Sequence, residues 1–122
     1  MTLLVTCSGF SNTGRLTTQA AQCLLTRATG RITWVQAQKS PEELTGLAGN
    51  ADDLIILNGC MDCCATKKVR AAGVTFGTEI VITDLGIKKN GMAEVRFEEI
   101  GIVAGAVIGI LQRKGGEMNN EG

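Results

Sequence analysis

The chain has no histidine and no tyrosine, a single proline, one tryptophan and three phenylalanines in 122 residues. Without histidine there is no imidazole general base, no Ser-His-Asp triad and no imidazole metal ligand. Any metal must therefore be held by Cys, Asp, Glu, backbone or water. The shortage of aromatics removes the stacking platforms on which single-stranded nucleic acids are bound. Net charge is absent as well, with Lys plus Arg and Asp plus Glu at 12 each. No net field draws the chain to nucleic acid or to a membrane surface. The longest apolar run, Ile102 to Leu111, falls well short of the roughly 20 residues a membrane span needs. The first residues lack the basic n-region and cleavage-like segment of a secretory signal. A phosphate-loop fingerprint is missing too, because Gly14 is followed by Arg15 and Leu16 where a P-loop has Lys and Ser or Thr.

Five cysteines are present. An odd count without a secretory signal speaks for reduced thiols and a cytoplasmic setting. The length suits one domain with one core, expected over residues 1–114, followed by a polar, Gly-rich disordered tail at 115–122. Apolar patterning alternates in type along that domain. Short strands are expected at Leu3–Cys7, Ile32–Ala37, Leu54–Leu57 and Glu79–Leu85. Helical periodicity runs from Thr13 to Arg27, with Leu16, Ala20, Cys23, Leu24 and Ala28 on one stripe. Ser40-Pro41-Glu42-Glu43 reads as a helix start with Pro at the first position and acids in the first turn. A further helix is expected from about Asp62 to Ala72, and a last one over Ile100–Arg113. Asn90-Gly91 is a hairpin signal leading into an alternating strand through Ala93, Val95 and Phe97. Strands alternating with helices predict a three-layer α-β-α fold with a mainly parallel sheet of four or five strands, flavodoxin-like or Rossmann-like in outline.

Four of the cysteines collect where two strands are expected to end. Cys7 closes Leu3-Leu4-Val5-Thr6, and Cys60, Cys63 and Cys64 follow Leu54-Ile55-Ile56-Leu57-Asn58-Gly59. Parallel strands end on one edge, so these sulfurs can meet in space. If a helix starts near Cys60, its i, i+3, i+4 spacing aims all three later sulfurs at one spot. Four sulfurs about 2.3 Å from one ion make a closed tetrahedral zinc site. Helix N-termini carry partial positive charge and Lys67 and Lys68 add more, a setting that favours thiolates. Cys23, in contrast, lies mid-helix on the apolar stripe and reads as core packing.

These stretches also carry a family resemblance. Cys7-Ser8-Gly9-Phe10-Ser11-Asn12-Thr13-Gly14 looks like the opening of the DGC-domain family, described as candidate zinc-binding proteins. Asn58-Gly59-Cys60-Met61-Asp62-Cys63-Cys64-Ala65-Thr66-Lys67-Lys68 resembles its signature, Asp-Gly-Cys with a second Cys four residues on, then Ala and basic residues. Thr83-Asp84-Leu85-Gly86-Ile87-Lys88-Lys89 is similar to its closing segment. The resemblance implies Cys7, Cys60 and Cys64 as metal ligands. Two departures stand out. The signature aspartate is Asn58, and a cysteine usual near the end of the second strand is replaced by Gln36, Ala37 and Gln38. Cys63, or else Asp62 or water, is left to complete the set.

The expected protein is thus a metal-ion binder with one zinc per chain on Cys7, Cys60, Cys63 and Cys64. Four thiolates would make the site structural or a store, whereas three and a water would leave a position for chemistry. An iron–sulfur cluster also accepts four cysteines. The alternative is a thiol enzyme using Cys7 or the Cys60/Cys63/Cys64 cluster. Cys7 and its Ser/Gly/Asn-rich loop resemble the oxyanion loop of small phosphatases and arsenate reductases, except that Thr13 stands at the arginine position and Arg15 comes two residues later. A redox version would exchange Cys60 with Cys63 or Cys64. Gly101, Gly105 and Gly109 recur every four residues on the last helix. That stripe suits close packing on its own sheet, or a homodimer through the same helix in a second copy. Neither nucleic acid nor membrane is an expected partner.

Overall fold

The computed structural model describes residues 1–7, 11–28, 30–37, 40–59, 62–88 and 94–120, with side chains up to Arg113. Four strands form one parallel sheet: β1 (Thr2–Thr6), β2 (Ile32–Gln36), β3 (Asp53–Asn58) and β4 (Thr78–Val81), in the order β2-β1-β3-β4. Four α-helices surround it: α1 (Asn12–Arg27), α2 (Pro41–Gly49), α3 (Cys64–Ala71) and α4 (Phe97–Asn120). This is the three-layer α/β fold that the alternating pattern predicts.

The central strands read as continuous apolar runs because both their faces are covered. Leu4, Ile55 and Leu57 turn toward α1 and α4, where they meet Leu16, Ala20, Leu24, Val103 and Val107. Leu3, Val5, Leu54 and Ile56 turn toward α2 and α3, against Leu44, Ala65 and Val69. Register is set by this alternation. A one-residue slip of β3 against β1, where Leu4 pairs with Ile55 and Thr6 with Leu57, would exchange the two faces.

Helix starts follow local chemistry. Ser11 caps α1 by accepting from the Gly14 amide, and Ser40 caps α2 by accepting from the Glu43 amide ahead of Pro41 at the first position. Cys23 is half-buried against the α1/α4 core, as its place on the stripe predicts.

Three expectations change. The fourth strand stops at Val81, and Ile82–Leu85 form a 3-10 turn closed by Gly86 at φ 88°. Asp84 and Gly86 are turn residues, and burial of Ile82 bends the chain toward α1 and α4 rather than along the sheet. The Asn90-Gly91 hairpin signal lies outside the described residues, and no strand follows it among those described. Residues 94–96 are irregular and α4 begins at Phe97. There Glu99 accepts from the Arg96 amide at 3.0 Å while its own amide donates to the Arg96 carbonyl. That is the N3 half of a capping box, and it overrides the alternation of Val95 and Phe97. The same helix runs to Asn120, past Arg113 where its apolar pattern ends. Each added residue there gains a backbone hydrogen bond once the helix is nucleated. Finally, Gly101 and Gly105 are exposed, and a Cβ on either, or on Gly109, would meet nothing within 4 Å. The small stripe faces away from the sheet, which is instead contacted through Val103, Val107 and Ile110. No described helix is long and apolar enough to cross a membrane.

Candidate functional site at the switch point of the sheet

Parallel strands bring the loops after β1, β3 and β4 to one edge. β1 and β3 are neighbours, yet the chain leaves β1 for β2 on one side and β3 for β4 on the other. Doubly wound sheets bind ligands in the crevice this divergence opens, outside the carboxyl ends of the strands. Cys7 and the segment after Asn58 stand at that crevice. The Cys7 amide donates to the Leu57 carbonyl at 3.1 Å, which sets its backbone beside the end of β3.

Gly59 is buried, and a Cβ there would lie 2.9 Å from the Gly14 nitrogen and 3.0 Å from the Thr13 carbonyl carbon. The beginning of the β3–α3 loop thus rests on the first turn of α1. Asn12, buried at the start of α1, donates through Nδ2 to the Lys88 carbonyl at 2.9 Å and draws the segment after β4 to the same place. The described parts of the three stretches 7–14, 58–68 and 83–89 therefore converge.

Cys7 is only 7% exposed. Thr17 donates its hydroxyl to the Gly14 and Cys7 carbonyls, at 2.7 and 3.1 Å, and its oxygen lies 3.8 Å from the Cys7 sulfur. Thr17 was not visible as a site residue in the sequence, because ten positions along a helix form no short motif.

Cys63 precedes α3 with φ 51° and ψ 46°, the one non-glycine residue with positive φ among those described. That left-handed conformation costs an L-residue roughly 1–2 kcal/mol, and such outliers gather at functional sites. Cys64, the first residue of α3, is exposed. Because the helix begins at Cys64, Cys63 lies outside its regular turns. Cys60 lies outside the described residues, and Asp62 is exposed. Among the described residues no three His, Cys, Asp or Glu side chains are gathered as a metal ion needs. Cys7, Cys23 and Cys64 are free thiols.

Cys63 provides no side-chain cap for α3. Asn58 does so from the end of β3, fully buried, with Oδ1 accepting from the Ala65 and Thr66 amides at 3.1 and 3.3 Å. Its Nδ2 donates to the Thr66 hydroxyl at 2.7 Å and to the Glu79 carboxylate at 3.3 Å, and the Thr66 hydroxyl also donates to Glu79. The sequence marked Asn58 only as a departure from a signature. Its partner Glu79 arrives through the β3–β4 register, which no local pattern carries.

The strained Cys63 gives a discriminating variant. Metal-free Cys63→Gly is expected to unfold within about 1 kcal/mol of wild type, because relief of the left-handed strain offsets glycine's extra chain entropy. Metal affinity is expected to fall if Cys63 is the fourth ligand and to persist if Asp62 or water fills that position. Urea melts of the metal-free protein and a chelator competition report the two quantities separately.

Fold and edge together define a doubly wound parallel α/β protein with cysteine-bearing loops at its switch point. The model of the DGC domain matches residues 3–107, nearly the whole sheet-and-helix body, and the chain belongs to the DGC-domain family. No curated protein and no solved structure matches it.

Proposed function

We propose that this protein binds one zinc ion through cysteine thiolates at the switch point, with Cys7 from β1 and Cys60, Cys63 and Cys64 from the β3–α3 connection as the ligand set. The observation that carries the reading is the backbone bond from Cys7 to Leu57, which seats the first cysteine beside the strand that leads into the other three. Membership of the DGC-domain family is compatible with a metal-binding protein. The donor set suits a borderline-soft ion, since thiolates are the characteristic ligands of structural zinc. Cys60 belongs to the proposed set, and zinc would have to draw Cys7, Cys63 and Cys64 together, since these described sulfurs are not gathered around one point. The metal, when bound, would supply a cross-link between the loop after β1 and the loop after β3. Reduced thiols, and hence a reducing compartment such as the cytoplasm, belong to the same reading.

Elemental analysis of untagged protein, with thiol titration on the same sample, tests the proposal. The expected result is one zinc per chain, with fewer titratable thiols before chelation than after it. Chelation is also expected to lower the melting temperature, since loss of a ligand held at 100 times its Kd removes about 2.7 kcal/mol. A metal-free preparation that binds no added zinc, melts identically with and without chelator, and shows one rapidly alkylated cysteine would overturn it in favour of a thiol enzyme.

A further inference from the structure

We infer that Asn58, Thr66 and Glu79 form a coupled set of positioning residues that fixes the start of α3, and with it Cys63 and Cys64, against the end of β3. The functional consequence rests on the zinc reading above, whereas the coupling itself rests on hydrogen bonds alone.

α3 is short, running only from Cys64 to Ala71, and its N-cap residue Cys63 makes no side-chain cap hydrogen bond. An uncapped helix start pivots easily, because its first amides must find partners elsewhere. Asn58 provides that partner from the central strand β3. Since Ala65 and Thr66 follow Cys64 directly, the bond that holds their amides also fixes the direction in which the cysteine pair leaves the helix.

The amide at position 58 has two tasks that only an amide combines. Its oxygen accepts from the helix, while its nitrogen donates to Thr66 and to Glu79. Ile56 pairs with Glu79 and Asn58 with Val81, so Glu79 lies one diagonal step away on the same face of the sheet. A carboxylate at 58 would keep the cap and lose both donors. A single hydroxyl proton, that of Thr66, would then stand between two carboxylates, one fully buried at position 58 and one exposed at Glu79. An amide at 79 would restore a donor from the opposite side. The pair therefore needs at least one amide, at either position, and the arrangement it excludes is two carboxylates.

The test compares full-length wild type, N58D, E79Q and N58D/E79Q. Zinc affinity is read by chelator competition, and the cobalt(II)-loaded protein by its thiolate charge-transfer and ligand-field bands. In metal-free protein, the alkylation rates of Cys63 and Cys64 are read by peptide mass spectrometry against Cys23. N58D is expected to bind zinc about 10–100-fold more weakly, the usual effect of a lost outer contact on a metal site. It is also expected to alter the cobalt bands and to alkylate faster at Cys63 and Cys64 only. E79Q is expected to stay close to wild type, because its amide oxygen can accept from Asn58 and Thr66. N58D/E79Q is expected to return to wild type in all three readouts. Should N58D fail to fold, recovery of folded protein in N58D/E79Q is the same result. A double variant no better than N58D overturns the inference. Wild type that binds no zinc, with alkylation still coupled in this way, removes the zinc reading and leaves the positioning set standing. Zinc bound equally by all four proteins removes the positioning set and leaves the zinc reading.

Discussion

Gly59→Ala is expected to destabilise the folded protein by about 1–3 kcal/mol, the usual cost of forcing an extra carbon into a filled site. The new methyl would meet the Gly14 nitrogen, the Gly14 Cα and the Thr13 carbonyl carbon at 2.9–3.0 Å. All three are backbone atoms of the first turn of α1, so no side chain can swing aside. Relief requires the end of β3 and the start of α1 to separate, and that opens the crevice in which Cys7 and the β3–α3 loop face each other. A melting temperature lowered by roughly 5–10 °C is expected for a chain of this size, together with weaker zinc binding. An alanine variant as stable as wild type would show that this contact is looser than described.

Cys7→Ser and Cys60→Ser are each expected to take the zinc content from one per chain to little or none, while Cys23→Ser leaves it unchanged. Serine's hydroxyl is not ionised at neutral pH and cannot replace a thiolate. The loss should be at least the roughly 10–100-fold that even outer-contact changes produce at metal sites. Cys7→Ser is a fair replacement sterically. The buried position already faces the Thr17 hydroxyl, so a serine hydroxyl finds a partner there and the metal-free fold should survive. Metal content is measured by elemental analysis, and metal-free stability by denaturant melts. Equal zinc in the Cys7, Cys60 and Cys23 variants would eliminate the proposed site. Cys23 is the right control because it is half-buried against the α1/α4 core, on the body of the helix away from the sheet edge.

The order of elements was legible wherever one interaction range dominates. Leu3 to Val5 and Leu54 to Leu57 declare buried strands, and the Leu16–Ala20–Leu24 stripe declares α1, because burial imposes its own period on side chains. Ser40-Pro41 announces α2 through capping chemistry confined to four residues. Legibility failed where two local signals compete. Val95 and Phe97 alternate as in a strand, but the bond from the Arg96 amide to Glu99 selects a helix. It failed again at the start of α3, expected at about Asp62, since the helix begins only at Cys64.

What the sequence determined by itself is the chemistry available: thiols without imidazoles, turn residues beside them, and strands apolar enough to be covered on both faces. These follow from composition and from periods of two and 3.6 residues, which any stretch of chain displays unaided. Only the tertiary structure decided which groups face one another. Strand order β2-β1-β3-β4 sets Cys7 beside Leu57, packs Gly59 on Gly14, and delivers Glu79 to Asn58. Each of those meetings joins residues far apart in the chain. Their proximity depends on how whole layers pack, a property that no local run of side chains encodes.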